Sequence, residues 1–331
     1  MKSQIPNSKF QKNVLLKNYT TFRIGGKAEY FFVAKNKKDL IRAISVAKKI
    51  NPSPFPKGDR VKLPFFVLGG GSNLLVSDKG FNGILIKIRN TKYEIPACPA
   101  GRQNTKIMAE AGVMLGELVN ILAKTGLSGL EWAAGIPGTV GGAIFGNAGA
   151  FGSSMKNIVK KVEAFDVKTQ KIKIFRGLAS EDCKFSYRDS IFIKNKNLII
   201  LSAVLQLKKG KKSEIEKKVK ENLNYRRERQ PLNFPSAGSI FKNPAGFFAG
   251  ELGEEDKSSS SAFAAARLIE ECGLKGKKIG NVKISEIHSN FIVNLGRGTA
   301  KDVMRLIKII KNKVKKKFGV ILEEEVQFLG F

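Results

Sequence analysis

The chain has 331 residues, of which 42% are hydrophobic, and a formal net charge of +31. This length exceeds one ordinary core and predicts two or three domains, while the apolar fraction excludes wholesale disorder. No apolar run approaches the roughly 20 residues of a membrane helix, and MKSQIPNSKFQKN at the start has no apolar stretch to serve as a signal peptide.

Three cysteines, Cys98, Cys183 and Cys272, are widely spaced and form neither a CxxC pair nor a disulfide framework. A cytoplasmic protein without membrane insertion is expected. The lysines and arginines are scattered, with short knots at Lys208–Lys212, Lys275–Lys278 and Lys315–Lys317. No nucleic-acid-binding signature accompanies them, so they read as solvated faces and no specific nucleic-acid partner is expected. Their field can still draw in small anionic ligands such as nucleotides.

In chain order, EYFFVAK (Glu29–Lys35) reads as a strand, and Lys38–Ile50 as a helix with apolar spacing at Leu40, Ile41, Ile44 and Ala47. Asn51–Pro64 holds four prolines and reads as a loop. Pro64–Gly70 and Gly83–Ile88 are short buried strands. From Thr91 the texture changes: KIMAEAG is a strand, VMLGELVNILAKTG a helix, and Gly126–Gly152 a glycine-rich passage. VEAFDV, KIKIFR and NLIILSAVLQL read as strands of one sheet. A charged link near Lys208 then leads into a polar helix and marks a domain boundary. In the last third, a helix ends at Gly273, FIVNLG is a strand, and Thr299 caps the best helix of the chain. Val303, Leu306, Ile307, Ile310, Val314 and Phe318 repeat along one face of that helix. VILEEEVQFLGF closes the chain as a strand.

Two glycine-rich passages invite a ligand. VLGGGSNLLV (Val67–Val76) sets three glycines and a serine directly after a strand, where backbone N–H groups can converge on an anion. It is neither GxGxxG nor a Walker motif, and by itself a tight strand-to-strand turn explains it equally well. GLEWAAGIPGTVGGAIFGNAGAFG (Gly129–Gly152) contains eight glycines, leaving few side chains to build a core. A linker would not carry Leu130, Trp132, Ile136, Val140, Ile144 and Phe145. Backbone lying against an extended, flat, pyrophosphate-containing cofactor fits both passages. No His/Cys/Asp cluster has metal-ligand spacing, so no catalytic metal is expected.

The order of TTFRIGG, VLGGGSNLLVSD, GLEWAAGIPGTVGGAIFGNAGAFG, CKFSYRDS, PSAGSIFKNP, LIEECGLKG, EIHSNFIVN and LEEEV resembles the UDP-N-acetylenolpyruvoylglucosamine reductase family from Val14 to Gly330. The resemblance implies an α+β fold, with FAD between two subdomains of the vanillyl-alcohol-oxidase/PCMH type and a C-terminal substrate-binding domain. The corresponding segments are 1–90, 91–207 and 208–318, with 319–331 returning as a strand to the first. It implies tightly, non-covalently bound FAD, NADPH as hydride donor, and a UDP-sugar enolpyruvyl ether as substrate; a monomer is expected.

Carried onto this chain, the resemblance places Gly69, Gly70, Gly71, Ser72, Asn73, Gly138, Thr139, Gly141, Gly142, Asn147 and Ala148 around FAD. It makes Arg188, Ser239 and Glu325 catalytic, and sets Lys242, Asn243 and Tyr187 beside the substrate. The one-piece FPSAGS spacing resembles the shorter of the family's two substrate-domain variants. Departures are Phe151 where tyrosine is common, Gly146 where a larger residue often stands, and apparent insertions at Asn51–Pro64 and Ala245–Ser261.

The chemistry suits these residue types. Hydride addition to the methylene of an enolpyruvyl ether leaves negative charge on the alpha carbon and the carboxylate. A fork-shaped, permanently charged arginine suits that carboxylate. A glutamate that keeps its proton could donate to the same oxygens. A closely held serine hydroxyl can protonate a strongly basic carbanion. Taken singly, Arg188 reads as a surface ion pair, Glu325 as a solvated strand residue on the face opposite Glu324 and Val326, Ser239 as a turn hydroxyl, Tyr187 as packing, and His288 as a hydrogen-bonded structural histidine. The rivals are another oxidoreductase of the same FAD superfamily, a basic nucleic-acid-binding protein, and a serine hydrolase. PSAGS is not GxSxG, which argues against the hydrolase.

Overall fold

The computed structural model describes residues 10–49, 64–95, 105–178, 180–244 and 264–331. The expected loop over 51–63, the segment 245–261 and Cys98 lie outside the described residues. In chain order the elements begin with β1 (Gln11–Leu15), β2 (Lys27–Ala34), α1 (Lys37–Lys49), β3 (Phe65–Leu68), β4 (Leu74–Val76), β5 (Phe81–Ile88) and β6 (Tyr93–Glu94). Next come β7 (Lys106–Glu110), α2 (Leu115–Lys124), β8 (Leu127–Ser128), α3 (Val140–Phe145), β9 (Gly149–Ala150), β10 (Ser153–Ser154), β11 (Val159–Asp166), β12 (Lys171–Arg176), α4 (Ile191–Lys194) and β13 (Leu198–Gln206). The chain finishes with β14 (Lys208–Lys209), α5 (Lys212–Arg229), β15 (Ser236–Ser239), α6 (Ala265–Glu271), β16 (Lys278–Ile279), β17 (Val282–Ile284), β18 (Phe291–Asn294), α7 (Ala300–Phe318) and β19 (Gln327–Leu329). The mixed α+β class stands.

The described residues form two compact units. The first comprises the described residues within Met1–Val14, Ala28–Gly70 and Asn82–Leu223; the second those within Leu15–Lys27, Gly71–Phe81 and Asn224–Phe331.

In the first unit, one sheet has the order β1-β2-β5-β3, with β3 and β5 parallel. A second sheet, β12-β11-β13-β7-β6, is antiparallel. The three strands expected to share a sheet do so. Leu198, Ile200, Leu201, Ala203 and Leu205 of β13 are buried, as is Ser202 among them, so the strand up to Leu205 is apolar on both faces apart from that serine. At the edge, β12 alternates lysines with exposed Ile172 and Ile174, and charge there discourages further strand pairing. Leu40, Ala43, Ile44 and Ala47 turn the apolar face of α1 into the same core.

Two expectations change here. Lys208–Lys209 is not a link: it pairs as β14 with Leu127–Ser128, because an exposed two-residue strand needs backbone partners and not apolar side chains. Gly129–Gly152 does contribute to a core. Leu130, Trp132, Ala133, Ala134, Val140, Ala143 and Ile144 are all buried in it, the small residues letting helix and turn backbones pack closely.

In the second unit, the antiparallel sheet β15-β18-β17-β16 carries α7. Val303, Leu306, Ile307, Ile310 and Val314 form its buried stripe, as the spacing predicts. Thr299 Oγ1 accepts from Asp302 N–H at 3.1 Å, and Gly319, at φ 73°, ends the helix. The Asp78 carboxylate accepts from the N–H groups of Ala300 and Lys301 at 2.8 and 3.0 Å, so the SD of VLGGGSNLLVSD also caps α7.

The closing strand is shorter than expected. β19 pairs in parallel with β4 over Gln327–Leu329 only, and Glu324 makes an isolated bridge to Phe241. The N–H groups of Glu325 and Val326 both point at the Ile240 carbonyl, at 2.8 and 3.3 Å. Regular strand alternation therefore does not apply at Glu325.

Candidate functional site

Within the first unit, the two glycine passages meet backbone to backbone. A Cβ on Gly70 would lie 2.5 Å from the Gly138 Cα, and one on Gly69 would lie 2.7 Å from Thr139 Oγ1. Gly141 is held against Ala111, where a Cβ would come within 2.7 Å. Thr139 caps α3, its hydroxyl accepting from Gly142 N–H at 3.3 Å, and Gly142 itself is exposed. The result is a strip almost free of side chains. Because Gly70 faces main chain that cannot yield, Gly70→Ala is expected to destabilise the fold by about 1–3 kcal/mol. A lower urea midpoint at unchanged m value would show it; an unchanged midpoint would mean that the strips separate freely.

The remaining residues of GGGSN belong to the second unit. Gly71, at φ 68°, packs on the Tyr19 carbonyl, where a Cβ would come within 2.1 Å. Asn73 Nδ2 donates to the Glu325 carbonyl at 3.0 Å, and its own carbonyl accepts from Gln327 N–H at 3.1 Å. This loop is therefore a strand-to-strand turn as well as a candidate ligand surface. Ser72 is half-buried.

The YRDS turn is tied to the first unit's glycine strip at three points. Asn147 Nδ2 donates to the Ser186 carbonyl at 2.8 Å, Ser190 Oγ to the Phe145 carbonyl at 2.6 Å, and Arg188 Nη1 to the Gly149 carbonyl at 3.2 Å. Ser186 and Asp189 close the turn with reciprocal backbone bonds of 3.1 and 3.2 Å. Arg188 sits at φ 51°, in the left-handed region, a conformation that side chains with a Cβ rarely adopt. Its guanidinium lies 5.6 Å from the ring centre of Tyr187, which is 49% exposed and so is not the packing residue its type alone suggests.

Asn147 is buried, and both polar atoms of its side chain are used internally, since Oδ1 accepts from Lys156 N–H at 3.0 Å. One Nδ2 hydrogen and one Oδ1 lone pair are thereby engaged internally, and its backbone N–H donates to the Ile144 carbonyl at 3.1 Å. Ala148 is fixed by its N–H bond to the Ala143 carbonyl at 2.8 Å.

In the second unit, β15 is bulged. Ser236 pairs with Val293 and Ser239 with Phe291, an advance of three residues on one strand against two on the other. Gly238, at φ 78°, absorbs the extra residue, and a Cβ there would meet nothing within 4 Å. The bulge shifts the register at Ser239, which follows this open position and is half-buried. Asn290 clamps the next turn, its Oδ1 accepting from Phe241 N–H at 3.0 Å and its Nδ2 donating to the Phe241 carbonyl at 2.8 Å. Glu323–Val326 runs alongside. Lys242 N–H bonds the Glu323 carbonyl at 2.9 Å, and Glu325 N–H bonds the Ile240 carbonyl at 2.8 Å. Ser239 at the end of β15 and Glu325 are thus brought to neighbouring backbone segments through the Ile240 carbonyl, while Arg188 belongs to the first unit.

Lys242 Nζ lies 3.5 Å from Glu323 Oε2, and Lys311 pairs with Glu324 at 2.7 Å, so the three glutamates of LEEEV have different surroundings. Asn243 Oδ1 accepts from Ala265 N–H at 3.1 Å, satisfying the start of α6. Sequence reasoning missed Asn290 and Asn294 as positioning residues. Asn294 Nδ2 donates to the Phe22 carbonyl at 3.0 Å and holds the TTFRIGG loop. The only available signal was their place in EIHSNFIVN.

His288 differs from its expected role. Its ring stacks edge-on against Phe291 with centroids 4.7 Å apart, but its buried Nδ1 has no hydrogen-bond partner among the described residues. It borders a cavity of about 540 Å³ lined also by Tyr225, Glu228, Arg229, Gln230 and Ile287. Burial lowers its pKa below the ordinary histidine value. Among the described residues, no hydrogen bond joins Ser239 to His288 or to any other base, so the nucleophile–base pair of a serine hydrolase is not formed. No cluster of three potential metal ligands occurs among these residues either, and no helix is long and apolar enough to cross a membrane.

Residues 28–174 match the model of an FAD binding domain, and residues 230–329 match that of the UDP-N-acetylenolpyruvoylglucosamine reductase C-terminal domain. The chain is 41% identical over its whole length to the UDP-N-acetylenolpyruvoylglucosamine reductase of Caldanaerobacter subterraneus, covering 97% of that protein. It is 36% identical to the enzyme of Clostridium novyi, covering 95% of it. Among solved structures, it superposes on the UDP-N-acetylenolpyruvylglucosamine reductase of Thermus caldophilus with a TM-score of 0.72 and 33% identity, covering 96% of this chain and 98% of that one. The chain therefore belongs to the UDP-N-acetylenolpyruvoylglucosamine reductase family of FAD-dependent oxidoreductases.

Proposed function

We propose that the protein reduces UDP-N-acetylglucosamine enolpyruvate to UDP-N-acetylmuramate for peptidoglycan precursor synthesis in the cytoplasm, with NADPH as the source of reducing equivalents. Segments 1–90 and 91–207 hold FAD, and segment 208–318 holds the substrate. The observation that carries this reading is the bulged β15, where Gly238 faces open space immediately before Ser239 and the Glu323–Val326 segment bearing Glu325 runs alongside.

The residues present fit FAD. Where Gly69 and Gly70 lie on Thr139 and Gly138, added Cβ atoms would collide, so the strip is kept bare and can accept a flat, extended group. Backbone groups of Gly69–Asn73, Gly138, Thr139, Gly141, Gly142, Asn147 and Ala148 would hold it. When bound, FAD would supply the redox chemistry, hydride transfer between NADPH and the terminal methylene of the enolpyruvyl group.

The chain's own groups manage the charge and the proton. Arg188 receives the substrate carboxylate as it takes up negative charge, with the planar fork of its guanidinium matched to the two oxygens. Glu325, in its protonated form, donates a hydrogen bond to the same group. Ser239 transfers its hydroxyl proton to the alpha carbon, and solvent restores it. Lys242, Asn243 and Tyr187 contact the substrate around this centre.

Spectroscopy on the purified protein tests the reading. It should be yellow, lose that colour with NADPH, and regain it when UDP-N-acetylglucosamine enolpyruvate is added without oxygen. Colour that returns only on admitting oxygen would favour an oxidase of the same superfamily.

A further inference from the structure

One charged side chain at the glycine strip has no part in the chemistry above. Parallel pairing sets Lys87 of β5 opposite Leu68, the last residue of β3, immediately before Gly69. Lys87 Nζ donates to the Gly69 carbonyl, its only hydrogen-bond partner among the described residues. No carboxylate among those residues pairs with it. Among the described residues the charge that acts on it is Arg89, which has the same sign and lies two positions further along the chain. Burial first and Arg89 second push the ammonium down to about 8.

A half-buried cation with no counter-charge among the described residues is costly, and holding one carbonyl does not require one. A neutral amide would tie down Gly69 with less desolvation penalty. No anionic side chain among the described residues offsets it, and the adjacent backbone belongs to the bare strip where Gly69 and Gly70 meet Thr139 and Gly138. We propose that Lys87 supplies the fixed positive charge of the cofactor's pyrophosphate site, with the Gly69 carbonyl holding the ammonium at the loop. This rests on the FAD reading and adds a residue to it.

The test is FAD affinity, read from flavin fluorescence quenching as FAD is titrated into apoprotein. Lys87→Met and Lys87→Gln should both weaken FAD binding about ten- to a hundredfold, the range expected for a lost charge-assisted hydrogen bond. Lys87→Arg, which keeps the charge, should bind FAD within a few-fold of wild type. The arginine variant also guards against misreading a folding defect. Wild-type affinity in Lys87→Gln, with or without a loss in Lys87→Met, would overturn the proposal, since a neutral donor would then suffice. Equal weakening in all three variants would overturn it as well. A wild-type apoprotein that takes up no FAD would overturn the cofactor reading itself, a failure distinguishable from the others.

Discussion

Ser239→Ala should leave reduction of the bound flavin by NADPH intact and slow its reoxidation by the enolpyruvyl substrate by about two to four orders of magnitude. The physical reason is local. Only one proton must reach the alpha carbon, and only an acid already in place can deliver it as charge develops there. The bulge at Gly238 fixes where Ser239 sits, and Asn290 and the Glu323–Val326 segment hold the following residues on both sides. Removing one oxygen atom from a half-buried position leaves these backbone bonds untouched, so stability should stay within about 0.5 kcal/mol of wild type. Ser239→Cys, which keeps an ionisable proton at nearly the same place, should recover part of the lost rate. Stopped-flow measurement separates the two half-reactions. Normal reoxidation in Ser239→Ala would remove the serine from the mechanism.

Arg188→Lys should lower turnover by about two to three orders of magnitude while the flavin is still reduced normally by NADPH. Lysine keeps the charge but presents a point in place of a planar fork, so it cannot match both carboxylate oxygens at once. The residue's conformation strengthens the argument. A left-handed φ of 51° at a non-glycine position is unfavourable by about 1–2 kcal/mol, and it persists because Asn147, Ser190 and the Ser186–Asp189 bonds over-determine the turn. Lysine has the same backbone preferences, so the folded state should survive the change with a similar melting temperature. The loss should fall on kcat, because the carboxylate gains charge during the reaction. A variant with raised KM and unchanged kcat would show that Arg188 only binds substrate.

The parts of the fold visible in the sequence were those encoded by local chemistry. α7 carries its own cap, apolar stripe and terminating glycine, and β13 its own apolar run. The ordered motifs likewise located the family and its candidate residues. What could not be read was conformation imposed from elsewhere. Nothing about an arginine predicts a left-handed backbone; distant side chains hold Arg188 there. The glycine of SAGS signals latitude, but the one-residue slip that presents Ser239 exists only in the pairing with β18. LEEEV reads as an alternating strand, yet the Ile240 carbonyl and Lys311 dictate its path. Lys87 is one of 59 basic residues, and only the register of β5 on β3 sets it apart by bringing it to Gly69.

The central claim is tested most directly by the product. The protein reconstituted with FAD should, with NADPH and UDP-N-acetylglucosamine enolpyruvate under anaerobic conditions, yield a compound heavier than the substrate by two hydrogens and identical to UDP-N-acetylmuramate by mass and NMR. Substrate returned unchanged by the flavin-loaded protein would contradict the account.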